Sequence, residues 1–226
     1  MATPAGAPPQ LECQGSESPP ARPTGGGPAT RLDVALTMAA QKIFVNRIIR
    51  GLTLQSEAFG EFADDESAQY QPWIIVGTVG LAHALGVLGR SVASGWIISP
   101  LWASAAVVAE VTFWLGMVTC VYMVARVVWG TERSYMFGAR CLALAELPGM
   151  LIAFGGLFVG REALLLIPIL CLRLVAYYRA VRAGWGWSRI RSVVLVGTGI
   201  VAGGISMVGV LLVLANVASR NGLASG

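Results

Sequence analysis

The chain has 226 residues, of which 55% are hydrophobic and only 12% charged, with a mean hydropathy of +0.68. Soluble domains carry roughly 25% charged residues, and a chain of this size cannot cover so much apolar side chain with polar surface, so a water-soluble domain is excluded. The net charge of +4 is too small for a nucleic-acid footprint and reads as a topology signal for a lipid-embedded fold.

Residues 1–30 are Pro, Gly, Ala, Ser and Thr with almost no bulky apolar side chain. Such a segment buries too little surface to offset its chain entropy, which predicts a disordered tail. It has no basic stretch followed by a short apolar core, so no signal peptide is expected. Residues 31–71 form a cytoplasmic helical segment. Leu32, Leu36, Ala39, Ile43, Phe44, Ile48 and Leu52 recur at three- and four-residue steps, with Asp33, Thr37, Lys42, Asn46, Arg47 and Arg50 on the other side. That spacing predicts an amphipathic helix, and the late cluster of Lys42, Arg47 and Arg50 suits an anionic membrane surface. Packing of the same helix on its own bundle is the alternative. Glu57, Glu61, Asp64, Asp65 and Glu66 follow, with Phe59 and Phe62 between them. They lack the order of a calcium loop and read as an acidic, solvated helix end.

The membrane domain covers 72–220, with expected spans at about 73–89, 101–128, 140–159, 163–181 and 193–218, and a short tail at 221–226. Each block is long enough to cross hydrocarbon; Trp96–Pro100 is too short and reads as an interfacial turn. Trp73, Trp96, Trp102, Trp129, Trp185 and Trp187 fall at the expected boundaries, where indole rings prefer to sit. Gly156 with Gly160, and Gly199 with Gly203, have the spacing that lets helix backbones approach.

Four ionisable residues lie inside the spans: His83, Glu110, Glu146 and Arg173. A charge at that depth needs a partner or a task. Counted at 1.5 Å per residue from Arg140 and Arg179, Glu146 and Arg173 reach a common depth of about 9 Å from the inner boundary, which predicts an ion pair. Counted from Arg90 and Leu101, His83 and Glu110 lie about 10 and 13 Å from the outer boundary, which predicts a second pair in the opposite leaflet. Two such clasps would fix helix register, whereas a proton path would want its carboxylates at one depth. His83, flanked by Gly80, Ala82, Ala84 and Gly86, is a candidate axial ligand for a pigment or haem, although a lone histidine is more often a hydrogen-bonded core residue. Cys120, Cys141 and Cys171 read as small apolar fillers, with Cys141 near enough to a boundary for acylation. No catalytic constellation, metal-ligand spacing or cofactor motif is present in the sequence.

The run Val45-Asn46-Arg47-Ile48-Ile49-Arg50-Gly51-Leu52, then Glu57-Ala58-Phe59 and Asp64-Asp65-Glu66-Ser67-Ala68, resembles bacterial members of the Yip (Ypt-interacting protein) family. So do Ala145-Glu146-Leu147-Pro148-Gly149 and Tyr177-Tyr178-Arg179-Ala180-Val181-Arg182 with Ser188-Arg189. The likeness covers about residues 43–218. It departs at Ser56, where members often have proline, and at Glu146 and Arg173, where they have uncharged residues. The resemblance implies five spans, a cytosolic N-terminus and, from eukaryotic relatives, a trafficking-like role through small GTPases.

These readings together predict an all-α integral membrane bundle of five helices behind an interfacial amphipathic helix. The function expected is non-enzymatic: membrane organisation, trafficking-like work or complex assembly, with the lipid bilayer and other membrane proteins as partners and no nucleic acid. The alternatives are a small ion-coupled permease, or an accessory subunit of a larger complex that holds pigments or haems. Against the permease, five spans do not divide into equal repeats, and Pro148 and Pro168 break their helices at different depths. An arginine-rich, Ala/Gly/Val-rich chain suggests a GC-rich bacterial genome and the cytoplasmic membrane.

Arginine distribution sets the expected orientation. With the N-terminus cytoplasmic, inner segments hold Lys42, Arg47, Arg50, Arg126, Arg133, Arg140, Arg179, Arg182, Arg189 and Arg191, and outer ones only Arg90, Arg161 and Arg220. A reporter active only outside the cytosol should therefore be active when fused after Ser219 and silent when fused near Arg133. The reverse pattern would overturn this topology.

Overall fold

The computed structural model describes residues 28–95 and 100–220. The expected tail at 1–30, apart from its last three residues, lies outside the described residues, as do the turn at 96–100, apart from Pro100, and the tail at 221–226. The chain divides into two units, Met1–Ala40 and Gln41–Gly226. What is described of the first is the opening of α1 (Pro28–Leu52), which starts on a proline whose fixed φ suits a first helical position.

The second unit holds the rest of α1, then α2 (Ser56–Asp64), α3 (Gln71–Ala93), α4 (Pro100–Trp129), α5 (Tyr135–Ala145), a 3-10 helix (Leu147–Phe158), α6 (Glu162–Trp185) and α7 (Arg189–Arg220). No strand occurs among the described residues. Five segments are long and apolar enough to cross a membrane: α3, α4, α5 with the 3-10 helix, α6 and α7. The protein is a polytopic, all-α membrane protein.

In α1, Phe44 and Ile48 pack against the core while Ile43, Val45, Ile49 and Leu52 are exposed, so the described side chains do not clearly define an amphipathic helix. Lys42 is exposed. Arg47 pairs with Asp65, and Arg50 pairs with Glu61 and donates to Gln55, so both arginines are engaged by their own chain. The Arg50 guanidinium holds the Glu61 carboxyl below its ordinary range. In α2, by contrast, Ala58, Phe59, Phe62 and Ala63 are buried while Glu57, Glu61 and Asp64 face out. Phe59 and Phe62 join a core with Phe137, Cys141, Leu144, Ala180 and Val181. The acidic stretch is thus the solvated edge of an inserted helix. Arg133 donates to Asp64 at 2.9 Å, Arg140 to the carbonyl of Asp65 and Arg179 to the carbonyl of Leu54.

The third span changes helix type at Pro148. Proline there supplies no N–H and its ring crowds the carbonyl of Leu144, and Gly149, Gly155 and Gly156 give the following run poor α-helix propensity. Pro168 does not repeat this effect: α6 continues through it. The 3-10 helix lies against α3 at backbone contact. A Cβ on Gly86 would meet the carbonyl oxygen of Ile152 at 2.3 Å, and one on Gly156 would meet Gly89 at 2.9 Å. α7 packs mainly on α4 rather than on its neighbour in sequence, α6. Gly199 and Gly203 permit this, since a Cβ on Gly203 would reach the Phe113 carbonyl at 2.7 Å. Gly160 is not a packing glycine; its φ of +75° closes the turn before α6, and nothing lies within 4 Å of a Cβ built there.

Cys141 is fully buried and its thiol donates to Ala180 O at 3.0 Å, which closes the acylation option.

Gly86→Ala should therefore lower thermal stability in detergent by about 1–3 kcal/mol, the usual cost of overpacking. Gly77→Ala, in the same helix with nothing within 4 Å of a Cβ, should leave it unchanged or slightly raised. Equal behaviour of the two variants would disprove the close α3 approach.

Candidate functional site

The intramembrane charges meet at one point. His83 lies near the middle of α3, Arg173 near the middle of α6, Glu146 at the junction of α5 and the 3-10 helix, and Glu110 on α4. Arg173 Nη2 donates to Glu110 Oε1 at 2.7 Å and also to Glu146 Oε2. It lies 3.2 Å from the hydroxyl of Tyr177, which donates to Glu146 Oε1. His83 Nδ1 lies 3.0 Å from Glu110 Oε2. The guanidinium also covers the Phe113 ring at 5.4 Å. Glu146 and Glu110 are 0% and 4% exposed, so this is a desolvated cluster.

Both expected pairs are present, His83 with Glu110 and Glu146 with Arg173. They are not separate clasps in opposite leaflets, because Arg173 joins them. Arg140 and Arg179 do not mark a boundary; they turn toward Asp65 and Leu54, and their helices run on. Tyr177 was not singled out in the sequence, although its position one turn after Arg173 places it on the same helix face.

The inventory of donors and acceptors is uneven. Each carboxylate oxygen of Glu110 and Glu146 has a partner. All three bonds of Arg173 leave from Nη2; Nη1 lies 3.5 Å from where a Cβ on Gly149 would stand. His83 Nε2 is buried with no partner, also 3.5 Å from that point. With Nδ1–H given to a carboxylate, the neutral ring presents a bare lone pair at Nε2. Two carboxyl groups, those of Glu110 and Glu146, share the one guanidinium of Arg173.

A cavity of about 380 Å³ adjoins the cluster. His83, Glu110 and Arg173 form its polar floor; Val87, Phe113, Ile152, Ile200 and Met207 are among its apolar walls, and Arg90 lines it two helical turns along α3 from His83. Leu166, Leu170 and Leu174 line it and are themselves partly exposed, so it communicates with the surface between α6 and α7. An apolar hollow of about 350 Å³ in that seam shares Leu174 and Ile200 with it. No group of metal-ligating side chains occurs among the described residues.

No family model, no curated protein and no solved structure matches this chain.

A shared hub ranks substitutions differently from two independent clasps. Arg173→Leu strands two buried carboxylates and should cost about 3–5 kcal/mol, as for other broken buried pairs. Glu146→Leu leaves a balanced Arg173–Glu110 pair and should cost clearly less. Thermal unfolding of the purified variants in detergent measures both; equal losses would restore the two-clasp arrangement.

Proposed function

We propose that this protein is a small proton-coupled membrane carrier, with the His83–Glu110–Arg173–Glu146 cluster as its proton site. The observation that carries this reading is a desolvated set of two carboxyl groups on one guanidinium near the middle of the spans, beside the unpartnered His83 Nε2. Ionisable groups in hydrocarbon are costly and mark proton relays. With Nδ1 held by Glu110, Nε2 is the atom at which a proton would enter. The site has the position and construction of a carrier site: it lies near the middle of the spans, where the third helix changes type at Pro148, and it borders a cavity. The chain in this reading sits in a bacterial cytoplasmic membrane with its N-terminus cytoplasmic and its cavity in the outer half, and it performs no bond-making chemistry.

The membrane-organising role of Yip type is the second reading. The outward face of α7, with Val201, Ile205, Val208 and Leu212 exposed, supports it as a surface for protein partners.

Proton uptake into a mid-membrane site moves charge through part of the bilayer even without a carried solute. A pH step applied to proteoliposomes on a solid-supported membrane should give a transient charge displacement in the wild type, reduced at least about tenfold in His83→Gln, which holds no proton near neutral pH. Absence of a displacement in the wild type, or one undiminished in His83→Gln, would refute the proton site.

A further inference from the structure

We infer that the cavity binds an apolar monocarboxylate, taken up together with one proton; the inference rests on the proton-site reading and names its substrate class. Three features of the cavity select this chemistry. Hydrogen-bonding capacity is the first. The carboxylate oxygens of Glu110 and Glu146 are all occupied, whereas Arg173 Nη1 makes none of the cluster's bonds and His83 Nε2 has no partner. Arg173 Nη1 is thus the donor left over at the floor, Nε2 becomes a second once it takes a proton, and two donors fit a ligand that accepts.

Charge is the second feature. The charged and titratable groups facing the cavity and its floor are Arg90 and His83 from α3, Glu110 from α4, Glu146 from the end of α5, and Arg173 and Tyr177 from α6. The 3-10 helix contributes Gly149 and Ile152, and α7 contributes Ile200 and Met207, none of them charged. Arg90 and Arg173 both line the cavity, and Arg90 takes no part in the cluster's ion pairs. A proton taken up at His83 Nε2 adds to this positive charge, and a monoanion offsets it. The same proton converts Nε2 from an acceptor into a donor beside Arg173 Nη1, so proton and carboxylate each favour binding of the other. Atoms balance simply: the proton comes from solvent, the carboxylate keeps its charge, and neither forms a covalent bond.

Shape is the third. Beyond the polar floor the walls are apolar, and the cavity adjoins the hollow between α6 and α7. A carboxylate head at Arg173 and His83 would leave its alkyl body along Leu170, Leu174 and Ile200. An amine would meet Arg90 and Arg173, and an alcohol would leave the added charge uncompensated.

Octanoate is a suitable probe. Full-length protein in nanodiscs should bind radiolabelled octanoate saturably above empty nanodiscs, and affinity should rise as pH falls from about 8 to about 6, by at most about tenfold per pH unit, the limit for one proton taken up. Octanol and octylamine should not compete. Arg90→Gln, at the rim and outside the cluster's bonds, should weaken binding several-fold without flattening this slope. His83→Gln, which keeps a neutral donor near the site, should abolish the slope. No saturable octanoate binding by a protein that still gives the pH-step charge displacement would overturn the substrate class while leaving the proton site standing. Equal competition by octanol or octylamine would overturn it as well, and binding without a pH slope in the wild type would overturn the coupling.

Discussion

A guanidinium stays charged in hydrocarbon only with anions at hand, and Arg173 meets that condition by drawing two carboxylates to one nitrogen. These partners come from different helices. Glu110 ties α4 to α6, Glu146 ties the end of α5 to α6, and His83 ties α3 to α4 through Glu110. A register slip in any of these helices would leave a charge uncompensated at mid-depth. The network thus fixes relative heights in a bundle whose apolar surfaces do little to specify them, since lipid tails are as apolar as leucine.

The helix break at Pro148 is part of the same solution. The α-helical ladder of the third span ends at Ala145, with Glu146 at its C-cap, and Pro148 in the first turn of the 3-10 helix prevents its resumption. The glycines that follow let the 3-10 helix touch the backbone of α3, and Gly149 leaves space beside His83 Nε2 and Arg173 Nη1. α7 stands outside the polar network. Its close partner is α4, reached through Gly199 and Gly203, and its looser fit against α6 leaves the seam beside the cavity.

Much of this was legible in the chain. Hydropathy and length set the number of spans, and the expected ends lie within about five residues of those found, a scatter ordinary for helix boundaries in sequence readings. The pairing of Glu146 with Arg173, and of His83 with Glu110, followed from the rule that charges in lipid find partners. Their fusion into one cluster did not. Depth was counted from arginines taken as boundary markers, and Arg140 and Arg179 are instead drawn to backbone carbonyls of the α2 region. A second two-sided helix went unread: α2, nine residues long, was too short to show a repeat against its acidic neighbours. Phe59 and Phe62 looked like interruptions of a charged stretch and are its buried face.

Arginines are unevenly spent, and the imbalance has a structural consequence. Arg47, Arg50, Arg133, Arg140 and Arg179 all bind the α2 region, while mid-depth has only Arg173 for two carboxylates. The α2 end of the bundle is closed by a helix whose Arg50–Glu61 and Arg133–Asp64 pairs are partly to largely exposed, and such pairs contribute about 0–1 kcal/mol each. Burial of Phe59 and Phe62, at about 1.5–3 kcal/mol per side chain, holds it more firmly. The cavity lies on the opposite side of the cluster, lined by Arg90 near the far end of α3. The aromatic insertion of α2, more than its salt bridges, therefore sets how firmly its end of the bundle is closed.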